Sequence, residues 1–250
     1  MSGLLRAELL KLRTTKATSG LIAGMVALIS LFVLVHGFVV AASGLRRDGE
    51  MHVFGWGGLG ALFAALLGAL SITGELRQGT IRPTLLTSPR RRQVLTAKLV
   101  TSALAGAAFG LAAETLTLGL GSLALSVRGI PMRLDGGDIA QLLLGGTVAA
   151  GLWATLGLGV GALLRNQVTT VVGLCAWLLL VESVLLGQLP DLVRYFPGTV
   201  AGAISGTTIT GEIPGGRGLL APVGAALLLG AYATFATIAG MLATERRDIP

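Results

Sequence analysis

Four stretches of this chain, residues 17–45, 53–74, 139–164 and 218–244, carry no formal charge at all. Two more are broken by a single carboxyl: Glu114 interrupts 99–127 and Glu182 interrupts 166–190. A helix crosses the hydrocarbon layer of a bilayer in about 20 residues, and lipid offers the backbone no polar partner outside the helix or a closed barrel. The sequence therefore reads as an all-α polytopic membrane protein. The six expected spans run roughly over 18–42, 55–74, 98–126, 139–163, 168–188 and 219–243. They use nearly the whole length, so residues 1–250 form a single transmembrane domain with no soluble unit of useful size. Only 12% of residues are charged, where a soluble chain carries about 25%.

Orientation follows from lysine and arginine, which concentrate on the cytoplasmic side of short loops. With six spans both termini share a side. Thirteen of the 19 basic residues fall there, including Arg6, Lys11, Arg13, Lys16, Arg77, Arg90, Arg91, Arg92 and Lys98. The remaining six are matched on the other side by Asp48, Glu50, Asp135, Asp138, Asp191 and Glu212. Both termini are thus expected in the cytoplasm of a cell-membrane protein. The net charge of +7 is read as a topology signal and an attraction to anionic lipid headgroups, not as a nucleic-acid footprint. The basic start resembles a secretory signal, but the apolar run behind it exceeds the usual h-region of about 7–15 residues. A retained first span is expected.

Residues 1–16 place Leu5, Leu9 and Leu12 on one helical face, with Arg6 and Arg13 nearly opposite. This fits a short helix lying at the headgroup level; a basic flank that only fixes orientation is the alternative. Residues 75–98 form the largest polar island between spans. Thr80 and Ser88 are candidate N-caps, and Pro89 suits a first helical position. The island reads as short helices on the membrane face with Arg90, Arg91, Arg92 and Lys98 projecting, or as a solvated basic loop.

Several chemistries lack their motif. The lysines are Lys11, Lys16 and Lys98, and none follows a glycine, so the chain has no phosphate-binding G-x-x-x-x-G-K-[ST] loop. His36 and His52 have no cysteines or carboxylates at zinc-ligand spacing. Ser205 lies in Gly202-Ala203-Ile204-Ser205-Gly206, which departs from G-x-S-x-G. Cys175 is alone and makes no internal disulfide. The chain itself is expected not to be an enzyme.

Glu114 and Glu182 each lie deep in a span, about 21–24 Å from the cytoplasmic end at ~1.5 Å per residue. At similar depth they can line one cavity. A charged group there costs at least about 2.5 kcal/mol on insertion scales and requires a partner, water or a proton. They serve either a translocation pathway or a hydrogen bond between helices. Gly20-x-x-x-Gly24, Gly106-x-x-x-Gly110 and Gly157-x-x-x-Gly161 permit close helix contact. The outer loop 189–218, with Pro190, Pro197 and Pro214, forms either short re-entrant helices near Tyr195, Phe196 and Val200-Ala201 or a flexible connection.

Glu75, Gly79-Thr80, Ser88-Pro89-x-x-Arg92 and Ala97-Lys98 resemble the loop between the second and third spans of permeases of the type-2 ABC exporter family. Glu8-x-x-Lys11-Leu12, six spans and shared terminal sidedness are also similar. The unbroken Arg90-Arg91-Arg92 departs from the pattern, where a small or apolar residue often precedes the arginine. The resemblance implies a cytoplasmic coupling helix that docks on separate ABC-type ATPase subunits, braced by the amino-terminal helix. Glu75, Gly79, Thr80, Pro89, Arg90, Arg91, Arg92 and Lys98 would contact or shape that interface. It also implies a second permease subunit, identical or not, and an export function. ATP and magnesium would bind the ATPase, with no cofactor in this chain. A proton-coupled secondary transporter using Glu114 and Glu182 is the alternative, and a non-transporting scaffold or membrane enzyme a third reading.

Overall fold

The computed structural model describes residues 2–39, 52–79, 91–207 and 218–246. Among the described residues every regular element is helical. Six helices among the described residues are long and apolar enough to cross a membrane: Lys16–Val39, His52–Gln78, Thr96–Val127, Gly136–Leu164, Gln167–Leu185 and Pro222–Ala243. These are spans one to six. All six expected spans are present, and their differences from expectation have local causes. Span two runs on past Glu75 until Gly79, whose φ of 68° closes the helix by donating its N–H to the last-turn carbonyls. Span three belongs to a longer helix, Arg91–Val127. Span six belongs to a helix that begins at Pro222 rather than at 219, where proline's missing N–H costs nothing.

Spans two and four form the centre. Within their most apolar windows 83% and 61% of residues are buried, against 22% for span one and 17% for span five. Span four packs against spans two, three and six. Small residues make this possible, because lipid supplies no hydrophobic drive between helices and close backbone packing must hold them. A Cβ at Gly68 would overlap the Ala154 carbonyl, and one at Gly157 would overlap the Ala65 carbonyl. Spans two and four therefore meet backbone to backbone. Gly106 and Gly110 lie equally close to Ala150 and Gly146 of span four. Gly20 faces open space, so its place in a G-x-x-x-G pattern marks no contact among the described residues. Spans one and five lie at the perimeter, where Leu31, Val35, Phe38, Val172, Leu180 and Val184 are exposed.

Connections are tightly made. Asp135 and Asp138 form a reciprocal capping box at the start of span four. Arg165 takes a left-handed φ of 56°, and Asn166 then accepts the Thr169 N–H to begin span five. The described part of loop 189–218 is not irregular. It contains helices Pro190–Val193 and Pro197–Ser205. The second packs on spans four and six with Thr199, Val200, Ala203 and Ile204 buried. Residues 208–217 lie outside the described residues.

The amino-terminal helix spans Ser2–Thr14. Glu8 is buried and Leu12 packs against the core, whereas Leu9 and Leu10 are exposed. We call the side carrying this helix the terminal face and the opposite side the far face.

Candidate functional site

Two polar centres stand out, one on each face. At the terminal face, four side chains from three elements meet. The ammonium of Lys98, at the start of span three, donates to Glu8 Oε2 at 2.7 Å, Glu75 Oε1 at 3.0 Å and the Ser71 carbonyl at 3.2 Å. That matches its three N–H donors with three acceptors. Lys11 donates to Glu8 Oε1 at 2.8 Å and to Glu75 Oε1 at 2.9 Å. Two carboxylates and two ammoniums thus form a neutral quartet that ties the amino-terminal helix to the end of span two and the start of span three.

Burial by itself would raise the Glu8 carboxyl, but the charge of Lys98 and the hydrogen bonds from Lys11 and Lys98 hold it below the usual carboxylate range. Burial likewise opposes the charge on Lys11, and its bonds to Glu8 and Glu75 carry it above the usual lysine value. The signs fix where the pairing stabilises the fold. The Glu8 contribution is present above its unfolded pKa and is lost as pH falls through its lowered folded value. The Lys11 contribution is present below its unfolded pKa and is lost as pH rises through its raised folded value.

This geometry corrects one expectation. Lys98 does not project from the membrane face; it is 2% exposed, because all its donors are used internally. Glu75 joins the same quartet, and Gly79 terminates span two immediately beyond it. Thr80, Pro89 and Arg90 lie outside the described residues. Of the island 75–98, read as short helices, residues 75–78 continue the span-two helix and 91–98 open the helix of span three. Arg91 and Arg92 lie in the first turn of the helix that continues into span three.

The second centre lies towards the far face. Glu114 of span three and Glu182 of span five line one cavity of about 60 Å³. Gly57, Gly146, Trp153 and the short helix Pro197–Ser205 complete its walls. The two carboxyls differ in how they are held. Glu182 Oε1 accepts the Trp177 indole N–H at 2.7 Å and the Gly198 N–H at 2.8 Å. Its Oε2 accepts the Thr199 N–H at 3.0 Å and faces the Thr199 hydroxyl at 3.4 Å. The carboxylate therefore sits on the N-terminus of the Pro197–Ser205 helix, where free N–H groups favour an anion.

A widened π turn over Trp177–Val181 sets up that contact. Residues five apart on an ordinary α-helix point in different directions, whereas an i→i+5 turn brings Trp177 and Glu182 onto one face. Nothing in residue spacing announces such a turn, so Trp177 escapes a reading based on 3.6-residue periodicity. Pro197, as a helix-starting proline, is the sequence signal for the N-terminus that Glu182 caps.

Glu114 is 1% exposed, and its Oε2 has no hydrogen-bond partner among the described residues. The Trp153 indole nitrogen is also buried without a partner among them. Gly57 and Gly146 flank the carboxyl so closely that a Cβ on either would overlap its oxygens. Trp153, Gly57 and Gly146 were not legible as site residues, because each also reads as ordinary packing in a glycine-rich apolar run. Ser205, the residue of the rejected protease motif, instead bonds the Gly202 carbonyl and the Thr207 hydroxyl.

None of the curated proteins matches the chain. The profile of a protein family described as "ABC-2 family transporter protein" matches residues 41–199. The chain belongs to this family. As an ABC-2 family member it is a multi-pass membrane protein, and the family supplies membrane subunits of ABC transporters. Membership implies an ABC ATPase partner in general, with the membrane subunit not itself the ATPase. The matched region of this ABC-2 protein takes in the polar island, both intramembrane carboxyls and Trp153. It stops at Thr199, within the first turn of the helix that Glu182 caps.

Proposed function

We propose that this chain is the membrane-spanning subunit of an ATP-driven exporter, forming the translocation pathway and driven by separate ATPase subunits. In this reading the terminal face is cytoplasmic, in line with the excess of basic residues there. The amino-terminal helix lies at the headgroup level. Residues 75–98 dock on the ATPase through the island that carries Arg90, Arg91 and Arg92, and a second permease subunit completes the pathway. ATP and magnesium bind the ATPase.

The observation that carries this reading is Lys98 bridging Glu8 and Glu75. It bolts both bases of the island to each other and to the amino-terminal helix. A force applied to a connection built in this way reaches spans two and three together instead of being absorbed by a floppy loop. Energy then enters as a difference in ATPase binding between two states of the membrane subunit.

A proton-coupled carrier would need Glu114 and Glu182 both free to exchange protons. Four donors converge on Glu182, which favours the exporter reading. The test is reconstitution in liposomes with the ABC ATPase. We expect ATP-driven flux with the wild-type chain and its loss, with ATPase either uncoupled or no longer co-purifying, when Arg90, Arg91 and Arg92 are replaced by glutamate. Unchanged flux and stoichiometry in that variant would overturn the docking assignment.

A further inference from the structure

The cavity towards the far face contains one spent carboxylate and one unspent. Both oxygens of Glu182 are engaged by donors from Trp177, Gly198 and Thr199. Glu114 is seated just as deliberately, between two glycines whose missing side chains make its space, yet its Oε2 bonds to nothing among the described residues. Placing an acid in a span costs at least about 2.5 kcal/mol, and here Oε2 has no hydrogen bond among the described residues to offset that cost. A ligand that carries N–H donors would give this oxygen the partner it lacks.

The lining restricts what that ligand is. Among the described residues no lysine, arginine or histidine contributes to the cavity wall, so none of them supplies a charge complement to Glu114. The lining residues are otherwise largely glycine, alanine, leucine and tryptophan, with the Ser205 and Thr207 hydroxyls as further acceptors. This is a poor cage for a bare metal ion, which needs several oxygens. It suits an ammonium, whose N–H donors bond a carboxylate and hydroxyls while its carbon neighbour meets apolar surface. The cavity, of about 60 Å³, has room for a small polar group. A primary ammonium brings N–H donors that a carboxylate and hydroxyls accept, whereas a quaternary ammonium has none. The Trp153 N–H is a donor and so does not bond the ammonium itself.

We propose that this cavity is a binding site for a primary ammonium group, held by Glu114 between Gly57 and Gly146. The site selects cargo that carries an amine at one end. This deepens the exporter reading and rests on it for the onward movement of cargo. Binding itself needs no ATPase, so a failed binding result and a failed docking result are separable.

The experiment uses the full chain in nanodiscs of uncharged lipid and radiolabelled methylammonium as the probe. The wild-type protein is expected to bind it saturably, with affinity about tenfold or more weaker in Glu114→Gln. Gly146→Ala, which displaces the carboxyl without removing it, should weaken binding in the same direction. Excess unlabelled methylammonium should displace the probe, and tetramethylammonium or sodium should not. Absence of saturable binding to folded wild-type protein would overturn the proposal. So would unchanged affinity in Glu114→Gln, or equal displacement by tetramethylammonium or sodium.

Discussion

The quartet at the terminal face and the cavity towards the far face both bury carboxylates in a largely apolar protein, and they solve the problem in opposite ways. Around Lys98 every charge meets its opposite and the ammonium donors are all used. Around Glu114 the oxygen Oε2 meets no donor among the described residues. Glu182 stands between these extremes, without a counter-charge but with backbone and side-chain donors from a helix N-terminus and an indole. The difference separates a brace from a receptor. Complete pairing holds three elements as one body, whereas incomplete pairing leaves interaction capacity for something that arrives.

The comparison breaks first at Lys98. Lys98→Met leaves Glu8 and Glu75 without their shared buried partner, and removing one side of a buried pair costs about 3–5 kcal/mol. Equilibrium unfolding in mixed detergent should report that loss. A change within about 0.5 kcal/mol would mean that the quartet does not hold the amino-terminal helix to the bundle. The two intramembrane acids sharpen the comparison at smaller effect. Glu182→Ala removes an acceptor from several buried donors and should cost about 2 kcal/mol. Glu114→Gln replaces a carboxyl whose Oε2 bonds nothing among the described residues and should leave stability unchanged or raise it, by up to about 2 kcal/mol. Equal destabilisation by the two substitutions, in the same unfolding assay, would erase the distinction between the spent and unspent carboxyl.

Much of this architecture is legible in the sequence, because a bilayer narrows the choices available to a long charge-free run. Span existence follows from that restriction, but not the exact ends: span two is expected to finish at 74 and runs on to Gly79. Partnership between spans is less legible. Gly106-x-x-x-Gly110 and Gly157-x-x-x-Gly161 do mark contacts, while Gly20 of the third such pattern faces open space. The pattern states only that close approach is permitted. Glu8, Lys11, Glu75 and Lys98 each stand out as charges beside apolar runs, but Lys98 and Glu8 lie 90 positions apart. No periodicity joins residues so distant, so the burial of Lys98 emerges only from the packed structure. The shared depth of Glu114 and Glu182 is readable from helix rise. Their unequal satisfaction is not, since it depends on a π turn and on a short helix folding back from the 189–218 loop.

The central claim is that the island between spans two and three receives an ATPase on the cytoplasmic side. Its most direct test is site-specific cross-linking in a Cys175→Ser background, which removes the chain's one native thiol. A cysteine introduced at Ser88 should be shielded from an impermeant thiol reagent added outside intact cells and should cross-link to the ABC ATPase. A cysteine introduced at Arg128, at the far face, should label from outside and give no cross-link. Labelling of Ser88→Cys from the exterior, or cross-linking to the ATPase from Arg128→Cys instead, would contradict the account.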